Sequence, residues 1–111
     1  MNVALIRNGK IALFDKDSGR MTQVIPDFNG WKILTAHFND QQDKLAVTTE
    51  DGKVYICSPS GSSKQYIYHG IYGKAQFAIW YGNEIAVQLE TGKMETYNQN
   101  SNRIRVLVCP F

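Results

Sequence analysis

The residues of this 111-residue chain that could do chemistry are few, and their spacing argues against most kinds of chemistry. His37 and His69 stand apart from each other and from Cys57 and Cys109, so the paired ligands that zinc requires are missing. Ser58, Ser60, Ser62 and Ser63 surround Pro59 and Gly61 without the Gly-x-Ser-x-Gly setting of a nucleophile, and they read as a hairpin loop. The carboxylates Asp15, Asp17, Glu50, Asp51, Glu84, Glu90 and Glu95 fall at turns or on strand faces expected to point outward, where solvation accounts for them. Three Gly-Lys pairs, at 9–10, 52–53 and 92–93, lack the pattern that cradles a phosphate. No nucleophile, base and stabiliser can be named together, so the sequence predicts no catalytic residue, no cofactor and no metal, and the chain is not expected to be an enzyme.

Binding is the chemistry that remains. Lys10, Lys53 and Lys93 recur just after a turn and could form a ring attractive to an anion, although lysine at such a place also keeps a sheet edge soluble. Aromatic residues crowd two other connections, Phe28 and Trp31 in one, His69 and Tyr72 in the next, with Trp80 and Tyr81 along the strand that follows. Exposed aromatics beside Asn and Asp are what a peptide groove or a sugar-stacking site uses. Trp31, Tyr72, His69, Phe28, Lys10, Lys53 and Lys93 are therefore the candidate ligand or partner contacts.

These residues must be positioned by strands. Glycines fall at 9, 19, 30, 52, 61, 70, 73, 82 and 92, mostly 9 to 11 residues apart, and the polar cluster 39–43 fills the one long gap. Between them lie short runs rich in Val, Ile, Tyr, Phe and Thr, which favour a pleated surface. The runs repeat: 3–11, 45–54 and 85–94 each read apolar-Ala-apolar, a turn, then Gly-Lys-apolar, at a period near 40 residues. A strand, a polar turn and another strand follow each Gly-Lys, and a further strand precedes the second and third copies at 32–38 and 74–81. The sequence thus predicts one all-β domain over 1–111, with about eleven short antiparallel strands in three repeats at approximately 1–29, 30–70 and 71–111.

Four strands per 40 residues resembles the blades of β-propellers, of the WD-repeat and related kinds, over nearly the whole chain. The resemblance is architectural: no copy carries the Trp-Asp or Gly-His pairs of true WD repeats, so no site residues carry over. Three blades cannot close a ring, and an open stack would bare apolar rows such as Leu5, Leu13, Ile33, Phe77, Ile79 and Val87, whose alternation implies burial. A homodimer would close a six-bladed ring. The alternative is a monomeric β-barrel or β-sandwich built from the same hairpins. The expected function is a non-catalytic protein-interaction or assembly module; the alternative is a carbohydrate-binding, lectin-like module with repeated sites on Trp31 or Tyr72. A formal charge of +2 gives no reason to expect nucleic acid, and no apolar run is long enough to span a bilayer. With no leader segment and only two cysteines, read as free thiols, the expected address is cytoplasmic.

Overall fold

A computed structural model describes residues 2–26, 28 and 30–107, which form eleven strands and no helix. They are β1 (Asn2–Arg7), β2 (Lys10–Asp15), β3 (Met21–Ile25), β4 (Ile33–Phe38), β5 (Leu45–Thr49), β6 (Val54–Cys57), β7 (Lys64–Tyr68), β8 (Ala75–Tyr81), β9 (Glu84–Leu89), β10 (Met94–Tyr97) and β11 (Arg103–Leu107). They pair antiparallel into three separate sheets, β1-β2-β3, β4-β5-β6-β7 and β8-β9-β10-β11, described here as blades one to three. Separate blades exclude the alternative of a closed barrel, and three stacked sheets exclude a two-sheet sandwich.

Local chemistry explains the turns. Asn8 and Gly9 both take positive φ, 55° and 75°, as the two-residue hairpin that joins β1 to β2 demands. Where the sequence offers 39–43 instead of a glycine, the Asn39 side-chain oxygen accepts from the amides of Asp43 and Lys44, each at 3.1 Å, and Gln42 takes φ 58°. Asp15 plays a similar part between β2 and β3: its carboxylate accepts from the Asp17 amide and the Ser18 hydroxyl, bonds that hold its pKa below the usual carboxylate value.

Alternation along each strand then builds two interfaces. Ile11, Leu13 and Ile25 of blade one meet Leu45, Val47, Tyr55 and Cys57 of blade two, with Ile33 and Ala36 from β4. The opposite side of blade two, Ala46, Val54, Ile56 and Tyr68, meets Ala75, Ala78, Ile85, Val87 and Leu89 of blade three. Blade two lies between the others, and so β5 and β6 are buried on both faces. The two interfaces also share a backbone device. The Ile33 amide donates to the Gly9 carbonyl and the Ala75 amide to the Gly52 carbonyl, both at 2.9 Å, so the head of each incoming blade is bonded to a turn of the blade before it.

Alternation misled at the ends of the stack. Leu13, Ile33 and Val87 are buried, but Leu5 is 55% exposed and Phe77 and Ile79 are 38% and 39% exposed, because each faces a side on which no further blade sits. Glu95 corrects a second expectation: it lies inside, 1% exposed, between blades two and three, rather than on an outward face.

Cys57 is a buried free thiol, and Cys109 lies outside the described residues. Burial pushes the Cys57 thiol from the usual 9.0 up to about 11. The raised folded-state pKa means that its contribution to stability is whole below pH 9.0 and is lost as pH rises toward about 11. At pH 8 the thiol is expected to alkylate only as fast as the chain opens; iodoacetamide labelling of the 54–64 tryptic peptide, with and without denaturant, measures this.

Candidate functional site

The candidate residues sit in the turns and connections at one rim of the stack. Lys10, Lys53 and Lys93 follow the β1–β2, β5–β6 and β9–β10 turns, and the connections 26–32 and 69–74 deliver β4 and β8 to the first two of those turns. Lys32 and Lys74, the residues just before those strands, lie directly over Gly9 and Gly52. The rim is nevertheless mixed in charge. The Glu50 and Glu90 amides bond to the Lys32 and Lys74 carbonyls, placing both acids among the lysines, and Asp51 pairs with Lys53 at 3.5 Å. Lys53 also lies 5.4 Å from the Tyr66 ring, so it is held, whereas Lys10 and Lys93 are exposed.

Phe28 and His69, expected in separate sites, are the ends of one run of rings. Phe28 meets Tyr55 edge-on at 4.8 Å, Tyr55 meets Tyr66 at 4.4 Å, and Tyr66 stacks on His69 at 4.7 Å. Phe28 is fully buried and cannot touch a ligand, because it fills the gap between blades one and two. Its backbone pairs with that of Trp31 in both directions, at 2.8 and 3.1 Å, and this bridge turns the Trp31 side chain outward, 45% exposed.

Tyr72 is 52% exposed and borders a cleft of about 190 Å³ with Tyr68, His69, Ile71, Tyr97, Ser101 and Arg103. The Tyr68 hydroxyl shapes its floor by donating to the Gly73 carbonyl at 2.5 Å and accepting from the Tyr72 amide at 2.9 Å. Arg103 lies over the Tyr72 ring at 5.0 Å and donates to the buried Glu95 carboxylate at 2.9 Å, an interaction that raises the guanidinium pKa. Tyr97 donates to the other Glu95 oxygen at 3.4 Å, and burial followed by the Glu95 charge pushes its pKa upward. Such a cleft can offer aromatic and aliphatic contact beside a cation. Sequence reasoning missed Glu95 and Arg103 because the carboxylate is buried by a neighbouring blade, which spacing along one strand does not disclose.

Trp31 and Tyr72 do not form the repeated sites expected of a lectin-like module. Ile33 and Ala75 are equivalent through their bonds to the turn glycines, and counting back from them sets Trp31 against Gly73 and Tyr72 against Gly30. The two exposed rings therefore occupy different positions. Among the described residues no cluster of three or more His, Cys, Asp or Glu is placed to hold a metal ion.

No family model and no curated protein matches this sequence. Among solved structures, one chain of a crystal structure of a mitotic checkpoint complex superposes on 96% of this chain with a TM-score of 0.77, at 14% sequence identity. This chain spans 33% of the length of that one. At that identity the likeness is one of fold, and it places these three blades in a propeller-like, all-β architecture.

Proposed function

We propose that the chain is a non-catalytic protein-interaction and assembly module that binds through the two ends of its stack, a second copy being the first partner. One observation carries this reading: the two exposed end faces have the same composition as the two faces already joined inside the chain. On blade three, Phe77, Ile79, Ala86, Met94 and Leu107 line an open apolar groove of about 170 Å³. Strand pairing makes Ala86 the equivalent of Ala46, and Met94 that of Val54, both of which lie buried under the following blade. At the other end Val3 and Leu5 are exposed, where their equivalents Leu45 with Val47 and Ile85 with Val87 are buried against the preceding blade. Joining the two ends head to tail would repeat the internal interface and remove both patches from water.

The neighbour of like fold is a component of a complex, which agrees with a role in binding proteins. A cytoplasmic address belongs to the same proposal. The test is solution mass by light scattering. Wild-type chain is expected near twice 12.6 kDa, and Phe77→Asp near the single mass with an unchanged melting curve. A wild-type mass of one chain at the highest attainable concentration would overturn self-assembly, and a Phe77→Asp chain that stays dimeric would overturn the face.

A further inference from the structure

Blade one has three strands where blades two and three have four, and the vacancy lies on β1. In the other blades the equivalents of β1 are β5 and β9, and each carries a strand on the side away from the hairpin, β4 and β8 respectively. Among the described residues β1 pairs only with β2. The direction of its backbone groups follows from one side chain. Gln42 accepts from the Asn2 amide at 2.8 Å and donates to the Asn2 carbonyl at 3.0 Å, so both groups of Asn2 face the open side. Alternation along an antiparallel strand then turns the groups of Ala4 and Ile6 to the same side, and those of Val3, Leu5 and Arg7 toward β2. A side-chain amide thus stands at one end of the edge where a peptide group of a fourth strand would pair, and Ala4 and Ile6 continue it without one.

We infer that the β1 edge is a strand-addition site, which takes an extended protein segment antiparallel to β1 as the fourth strand of blade one. The internal repeats specify its chemistry. β4 and β8 are each preceded by a lysine, and each sends two apolar side chains onto the preceding blade, Ile33 with Ala36 and Ala75 with Ala78. A second vacancy matches the first. Lys32 lies over Gly9 and Lys74 over Gly52, while a Cβ on Gly92 would meet nothing within 4 Å. In the head-to-tail assembly proposed above, a strand added to β1 of one copy would lie across Gly92 of the next, so one segment fills both. The inference deepens that assembly reading, but its test reads amides rather than mass, and the two can fail separately.

The probe is a synthetic peptide of residues 30–38, the chain's own β4 with its leading lysine, added to the intact protein. Hydrogen exchange is expected to be fast at the Ala4 and Ile6 amides in the chain alone and slowed at both by the peptide, with the Leu5 amide protected throughout. Ala4→Pro removes only the donor facing the open edge and is expected to weaken the peptide about tenfold. A peptide carrying proline in place of Thr35 tests the same pairing without altering the protein, and it is expected not to bind. Three results would overturn the inference: peptide binding that leaves both amides unprotected, no binding at all, or protection of both amides before any peptide is added. If that prior protection rises with protein concentration, the edge belongs to a second copy's β1 instead.

Discussion

Phe28→Ala is expected to destabilise the chain by about 3–5 kcal/mol, the usual cost of emptying a phenylalanine site that its surroundings cannot refill. The ring is fully buried between two blades, with Tyr55 against its edge and the Lys64 ammonium 4.6 Å from its centre. Blades one and two would therefore lose contact on both sides of the cavity. Trp31→Ala, three residues along, should change stability by no more than about 1 kcal/mol, because the side chain is largely in water and its backbone bridge to Phe28 does not need it. Urea unfolding of the two variants measures the difference. Equal losses would mean that Trp31 packs against something in solution, and that the rim is covered.

Gly52→Ala should be nearly as damaging, at about 3 kcal/mol, while the same substitution at Gly92 should cost about 1 kcal/mol. Both residues hold positive φ, 87° and 92°, so the backbone strain of adding a side chain is shared. Space separates them. A Cβ on Gly52 would lie 2.6 Å from the Lys74 side chain and 2.8 Å from its Cα, backbone that cannot move without releasing the head of β8 from the Gly52 carbonyl. Nothing stands near Gly92. The pair therefore also reports on assembly: if Gly92→Ala lowers the solution mass while leaving the melting curve of the single chain nearly unchanged, another blade covers that turn.

The sequence alone determined the strands, their order and their repeat. That information is local: Asn8-Gly9 can only be a tight turn, the cluster 39–43 bonds to its own backbone, and β-branched runs between such turns have no better conformation than a strand. Apolar-Ala-apolar recurring before each Gly-Lys showed that three equivalent hairpins must stack, since alanine beside a glycine turn leaves room for a neighbouring blade. Which face each residue occupies was also legible, because side chains alternate along a strand. Whether that face is covered was not. Leu5 and Leu45 belong to the same kind of row, yet one is exposed and the other buried, since only the second has a blade in front of it. Phe28 and Trp31 share one connection and part at a backbone bridge, and Glu95 occupies the position that Tyr55 holds in blade two, buried by a neighbour about 40 residues away in the chain. Only the tertiary structure decided these, because burial belongs to pairs of blades, and a pattern along one strand carries no information about what stands opposite it.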